Sequence, residues 1–507
     1  MSMILRSARN LLQSTNPTLV ALAGIATITF WQSQASNNRL QAQEATLNAV
    51  TLPENSPRVT PLVKIIRKID PAVVSLFSPI AENQIMSGSG TIIHPSGIIL
   101  TNNHVLPNAE GFAMRGNEKP MKFEVLARYP ESDIALVRLP EKPSWDFLPL
   151  GHSADTLVGE SIVVAGNPGG RGMAFTSGII SAVDVLEGGP NAMIMSNRTN
   201  DRRGRLIQFD AASNKGNSGG PLVNMDGEVI GVVSAVIQGE QNIGLAIPID
   251  RVRELFDRML EPELIYSKST GIKIDPLAKT AQVQSISPSF PSIIQPGDSI
   301  LEINGLPVRD AVDWYLSLEQ LLPLHDELNI RFQNAKGVEE ITWKTSPTVA
   351  QASAPSQTTS AGWNYEYYEG KFNQIPNFDN LVATRKATTD TLDIPKLTPD
   401  RQDNFAIRFT GFLDIPSEGI YRIVLISDDG SKLFLNDQLF IDHDGNHPAT
   451  PASRLVRLQA GLLPVKLEYF QGNGDKSLHL VVEPCQDRKN VSLKDMKLAQ
   501  GERLRRP

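Results

Sequence analysis

Three residues spread along the chain have the types that nucleophilic acyl chemistry needs: Ser218, His104 and Asp133. Ser218 lies among small residues in NKGNSGGP (Asn214–Pro221). A serine hydroxyl is a poor nucleophile until a base takes its proton and a third group orients that base. Only seven histidines are available as the base. His94, His152, His325, His443, His447 and His479 fall mostly in turns or on strand faces. His104 differs, because GIILTNNHVL places it just past a buried strand whose end would fix its backbone. Asp133 opens the next apolar run, SDIALVRL, where a buried carboxylate can hold an imidazole. The order His104, Asp133, Ser218 is one of the known chain orders for such a triad.

The glycines around Ser218 have a mechanical use. Attack on a carbonyl develops an oxyanion, and fixed backbone N–H groups stabilise it better than mobile water. Gly216 can take the dihedrals that turn its N–H inward beside that of Ser218, so Gly216–Asn217–Ser218 is the candidate oxyanion hole. Gly219 and Gly220 leave room for a neighbouring strand. GNSGG also satisfies the G-x-S-x-G elbow, which needs strand, turn and helix, with acid and histidine after the serine. Here PLVNMDGEVIGVVSAV follows, two strand-like runs around a Met-Asp-Gly turn, and the better histidine lies upstream. A Gly/Ser turn without chemistry is the plain alternative for any isolated match.

The elements that must position these groups are mostly strands. From Pro61 to about residue 255, short runs such as AVVSLF, SIVVAG and LIQFD alternate with Gly, Asn and Pro, the pattern of a β-barrel or sandwich domain. IDRVRELFDRML has helical spacing and closes that domain. Residues 256–346 read as a small α+β unit: AQVQSISP and DSILEING as strands, DAVDWYLSLEQLL as a helix, ELNIRFQ and EEITWKT as a hairpin. Residues 347–361 are Ser/Thr/Ala/Pro-rich, a linker by composition. Residues 362–486 are strand-like again with even turn spacing, a second β-sandwich, and 487–507 form a tail. The fold class is therefore mainly β.

Bulk composition narrows the partners. A hydrophobic fraction of 41% with 20% charged residues is globular, and a net charge of −7 argues against nucleic acid. The single Cys485 excludes an intrachain disulfide. Arg6 and Arg9 precede TLVALAGIATITFW (Thr18–Trp31), short for a membrane span of about 20 residues but suited to a signal peptide. Ser33 and Ala35 supply small residues for cleavage after Ala35. Residues 1–35 are read as a signal peptide or, uncleaved, as a membrane anchor, and 36–60 as a tether. Either reading sends the rest of the chain across a membrane.

GSGTIIHPSGIILTNNHVL, ESDIALVRL, AGNPGGRGMAFTSGIISAV, IQFDAASNKGNSGGPLVNMDGEVIGV and NIGLAIPID follow one another as in the HtrA/Deg-type trypsin-like serine proteases. The resemblance covers residues 61–255. It implies two packed β-barrels with His104, Asp133 and Ser218 in the cleft between them, and no cofactor for catalysis. It further implies unfolded polypeptide substrates, a periplasmic or other extracytoplasmic location, and a homo-oligomer, trimeric or larger. Six residues before the serine, at the base of the specificity pocket in such folds, stands Ala212 rather than an acid. Burying an unpaired basic side chain there costs several kcal/mol, so aliphatic residues are expected before the scissile bond. Val236 and Ile237 add apolar wall, and the backbone of Val233, Ser234 and Ala235 pairs with the substrate strand. Relatives usually carry proline where Lys215 stands, which suggests a looser oxyanion loop.

IQPGDSILEINGLPV resembles the core of a PDZ domain, and STGIKI its carboxylate-binding loop, with Gly271 and Ile272 as the matching peptide-binding residues. Residues 362–484 resemble the protective-antigen-type, or PA fourteen, lectin-like domain. That resemblance implies two readings of Asp428–Asp429: a calcium site that helps hold carbohydrate, or a structural turn. His443 and His447 mimic a metal site, but Gly445 and Pro448 argue for a loop. Arg198, Arg202, Arg203 and Arg205 read as a solvated cluster. Two alternatives to an active enzyme stay open, a catalytically silent chaperone-like binder and a surface adhesin.

Overall fold

The computed structural model describes residues 52–485 and 504–506, apart from residues 82–83, 109, 117, 168–171, 187–204, 237–242, 292, 349 and 354–359. The N-terminal segment, Ile237, Arg198, Arg202, Arg203 and most of the tail lie outside the described residues. Among the described residues no helix is long and apolar enough to cross a membrane.

The first element is a helix, α1 (Pro61–Ile69). Thr60 caps it by accepting the Val63 N–H, Pro61 suits its first turn, and Ile65 and Ile69 face the core. Two turns are too short for their period to stand out among strand-like runs, so the sequence reading of this domain missed it.

Twelve strands then form two closed six-stranded barrels. The first holds β1 (Val73–Ala81), β2 (Gln84–His94), β3 (Ile98–Thr101), β4 (Glu110–Met114), β5 (Met121–Tyr129) and β6 (Ile134–Arg138), in the order β1-β2-β3-β6-β5-β4. The second holds β7 (Ser161–Gly166), β8 (Ala174–Leu186), β9 (Arg205–Phe209), β10 (Pro221–Val223), β11 (Val229–Val236) and β12 (Gly244–Pro248), in the order β10-β11-β12-β9-β8-β7. β3 and β6 are continuous apolar runs for a physical reason. Ile99, Ala135 and Val137 point into the first barrel, while Ile98, Leu100, Ile134 and Leu136 join Val163, Val223 and Val232 between the barrels. Both faces are buried, so the period of two appears as alternation between two cores.

α2 (Ile249–Leu260) and α3 (Pro262–Ile265) lead into the small unit. Its helix α4 (Ala311–Leu321) starts at Asp310, whose carboxylate accepts the N–H groups of Val312 and Asp313. A four-stranded sheet and the pair Ile272–Ile274 with Val283–Ile286 complete it. This unit is fused to the barrels: Val312 and Leu316 of α4 share one apolar cluster with Val252, Phe256 and Leu260 of α2. Arg253, 3% exposed, pairs with Asp310 at 2.9 Å, and the Arg309 guanidinium lies over the Phe147 ring. The C-terminal unit is a sandwich of an eight-stranded and a three-stranded sheet around Trp363, Phe405, Phe409, Tyr421 and Tyr469. The mainly β architecture expected from the sequence is the one the chain forms.

Candidate active site

β3 ends at Thr101, and a 3-10 turn, Asn103–Val105, carries His104 directly after it. A second 3-10 turn, Pro130–Ser132, delivers Asp133 in the left-handed region (φ +53°) before β6 begins. Aspartate tolerates that conformation because its short side chain bonds locally. Here the carboxylate fixes the neighbouring turn: Oδ1 accepts the His104 N–H at 2.9 Å, and Oδ2 lies 2.7 Å from His104 Nδ1. The Asp133 carbonyl accepts both the Asn103 N–H and the Asn102 side-chain amide, each at 3.0 Å. A carboxylate on Nδ1 selects the tautomer protonated there, which leaves Nε2 as an acceptor.

Ser218 comes from the other barrel, on the loop before β10. Two successive turns build that loop. Asn217 N–H reaches the Asn214 carbonyl at 3.0 Å, and Gly220 N–H reaches the Asn217 carbonyl at 2.9 Å. Gly216 (φ +105°) and Gly219 (φ +83°) occupy the third positions, the type II signature that requires positive φ. Among the described residues the N–H groups of Gly216 and Ser218 have no hydrogen-bond partner. The Asn217 N–H closes a turn, so the donors left for an oxyanion are two, and Asn217 is a spacer rather than a third donor. Lys215 does not keep the turn from closing.

Gly219 and Gly220 are steric necessities. A Cβ at Gly219 would come within 2.2 Å of the Ser89 carbonyl and Thr101 Oγ1, and one at Gly220 within 2.2 Å of the Ala165 carbonyl. The strand that passes is β2. Ser89, fully buried, donates from Oγ to the Gly216 carbonyl at 2.7 Å and accepts the Asn167 N–H at 3.0 Å. Its own N–H reaches the Ser218 carbonyl at 2.8 Å. Ser89 thus ties the first barrel to the serine loop of the second. The only sequence signal for it was a hydroxyl inside GSGT.

Ser218 Oγ donates to the Ser234 carbonyl at 3.2 Å rather than to His104. Ser234 Oγ lies 3.3 Å from Asp133 Oδ2, so one residue of β11 touches both Ser218 and Asp133. Sequence reading gave Ser234 only backbone pairing with substrate, and its link to Asp133 was not foreseen. Val233 is buried and exchanges hydrogen bonds with Gly219 and Gly220. Ala235 continues β11, and Ile237 lies outside the described residues. Ala212 is exposed, and its carbonyl accepts Thr176 Oγ1 at 2.9 Å. The nearest upstream acid, Asp210, accepts the Ile179 N–H at 2.7 Å.

Gly271 (φ +66°) and Ile272 open the strand Ile272–Ile274 of the small unit. In the sandwich, the buried Asp428 accepts the Ala449 N–H, and Asp429 accepts those of His447 and Gly472. Burial, then the Asp429 charge, pushes the Asp428 carboxyl up to about 6, and burial also raises Asp429. The two carboxylates thus hold three backbone amides, the bonding of a structural turn, and no group of three or more His, Cys, Asp or Glu that could hold a metal occurs among the described residues. His443 and His447 stack with ring centroids 4.0 Å apart, and their ring nitrogens lie against the carbonyls of Thr450, Pro448 and His443.

The sequence profile of the trypsin-like peptidase domain matches residues 88–232, and that of the PA14 domain matches residues 360–495. Periplasmic serine endoprotease DegP of Salmonella typhimurium is 34% identical over 241 residues, 44% of this chain and 49% of that protein. A probable periplasmic serine endoprotease DegP-like protein of Pseudomonas fluorescens is 32% identical over 245 residues, again 49% of its length. The chain spans about half the length of these periplasmic relatives. Mitochondrial serine protease HTRA2 of Bos taurus is 32% identical over 336 residues, 59% of this chain and 70% of the relative. Identity and coverage at that level, on two barrels that bring His104, Asp133 and Ser218 to one junction, show that the chain belongs to the HtrA/DegP family of serine proteases and carries a PA14 domain after its protease part.

Proposed function

We propose that the protein is a serine endopeptidase that cleaves unfolded or misfolded polypeptides outside the cytoplasm. One observation carries this reading: the His104–Asp133 pair of one barrel meets the Ser218 loop of the other, and that loop holds two amides with no partner among the described residues. An extended substrate strand lies along β11, and its N–H takes the Ser234 carbonyl that now holds Ser218 Oγ. The displaced hydroxyl turns to His104 Nε2, which accepts its proton as Oγ attacks the scissile carbonyl. The oxyanion receives the Gly216 and Ser218 N–H groups. Asp133 stabilises the imidazolium, which then protonates the leaving amine, and water repeats the cycle on the acyl-enzyme. Each proton moves between the chain, the substrate and water, so the reaction draws on no cofactor.

Ala212 at the pocket base favours aliphatic residues before the scissile bond. The periplasmic relatives support an extracytoplasmic location, and family membership supports a homo-oligomer. The sandwich is read as a carbohydrate- or surface-binding module. A fluorophosphonate probe should label Ser218 in the intact chain, and Ser218→Ala should lower turnover at least ~10⁴-fold. Cut sites on denatured casein should follow aliphatic residues; a majority after Lys or Arg would overturn the specificity. The Ser218–Ser234 contact favours one second reading, a silent binder that retains the fold. A folded chain left unlabelled even with casein present would establish it.

A further inference from the structure

The loop through which a PDZ-like unit captures a chain end is Ser269–Ile272 here, and its amides already have partners. Thr270 N–H reaches Glu263 Oε1 at 2.6 Å. Gly271 N–H reaches Ser269 Oγ at 3.1 Å, and Ile272 N–H reaches Thr270 Oγ1 at 3.2 Å. Thr270 Oγ1 bonds in turn to Glu263 Oε1. Two of three successive amides therefore converge on one internal carboxylate, Thr270 directly and Ile272 through the Thr270 hydroxyl, while the Gly271 amide between them is held by Ser269 Oγ. The loop is also clamped from outside. Thr270, fully buried, gives its carbonyl to Trp343 Nε1–H at 2.9 Å. The Phe290 ring lies against Gly271, where a Cβ would come within 2.2 Å of it, and it stacks on Trp343.

A nest of backbone N–H groups holds one carboxylate at a time. We infer that Glu263 is a built-in surrogate for a peptide C-terminus and keeps the PDZ-like unit closed to chain ends. An incoming carboxylate must displace Glu263 from its donors, and Glu263 sits on α3, immediately after the helix that packs on the barrels. This goes beyond the protease reading and does not depend on turnover. It also changes the expectation for Gly271 and Ile272, whose amides are closed off in the resting chain rather than open to peptide.

The test uses the full chain carrying Ser218→Ala, which prevents cleavage of the probe. The probes are a short fluorescein-labelled peptide ending in Tyr-Val-Val with a free carboxylate, and its C-terminally amidated twin, followed by anisotropy. The Ser218→Ala chain should bind both alike and weakly. Adding Glu263→Ala should let the free-acid peptide bind at least ~10-fold tighter than the amide, the equivalent of about 1.4 kcal/mol. The isosteric Glu263→Gln, which keeps the packing, should gain part of that difference. Melting curves establish that each variant is folded. The inference is overturned if the Ser218→Ala chain already prefers the free acid, or if folded Glu263 variants gain no preference.

Discussion

Replacing Ser89 by alanine is the sharpest test of how the serine loop is held. Its hydroxyl satisfies two buried groups from the second barrel, the Gly216 carbonyl at 2.7 Å and the Asn167 N–H at 3.0 Å. Alanine leaves both without a partner, at about 1–3 kcal/mol each, so the loss is on the order of 2–6 kcal/mol. The catalytic consequence is separate. The Gly216 carbonyl is the far side of the residue whose N–H is the proposed oxyanion donor, and freeing it lets that donor drift. Removing an oxyanion donor outright costs ~10²–10³-fold in kcat, so a loosened one should cost ~10–100-fold with KM nearly unchanged. Hydrolysis of an unfolded fluorogenic substrate and denaturant midpoints should be measured on the same preparations. Ser78→Ala is the control, because Ser78 is equally buried and bonds the Glu110 carbonyl, away from the loop. If Ser89→Ala loses stability as Ser78→Ala does while kcat stays intact, Ser89 is merely structural and the reasoning fails.

Other outcomes follow from the same geometry. Lys215 is exposed at the second position of a type II turn, where proline is favoured. Lys215→Pro should stabilise the closed turn by about 0.4–1 kcal/mol and raise basal kcat/KM roughly 2–5-fold; an unchanged rate would show that turn freedom does not limit catalysis. Gly219→Ala should unfold or inactivate the protease part, since its Cβ meets backbone at 2.2 Å and its φ is +83°; a folded variant of normal melting temperature would contradict the packing. Asp428 supplies a pH dependence. Its folded pKa of about 6 lies above the unfolded value, so its contribution is full below about pH 4 and is lost as pH rises through 6. The swing is on the order of 2–3 kcal/mol. Asp428→Asn should flatten that slope in the melting of the sandwich, and an unaltered slope would assign it to other groups.

Sequence alone singled out the residues on which the proposed chemistry rests. Residue type and order pointed to His104, Asp133 and Ser218, because His104 follows and Asp133 opens an apolar run while Ser218 sits among the glycines of NKGNSGGP. The same runs determined the mainly β class. The structure then supplied what no spacing along the chain encodes. Ser89, Asn102 and Ser234 are small polar residues inside apolar stretches, and their types carry no signal until barrel closure puts them beside the loop. The helix α1 was hidden by its brevity. Glu263 was invisible for a related reason: a surface-looking glutamate becomes a half-buried hydrogen-bond hub only when α3 folds back over Ser269–Ile272. Local patterning dictates which segments are strands and which side chains can react. Which oxygen meets which N–H across two barrels is decided by tertiary packing, since each such bond joins groups tens of residues apart.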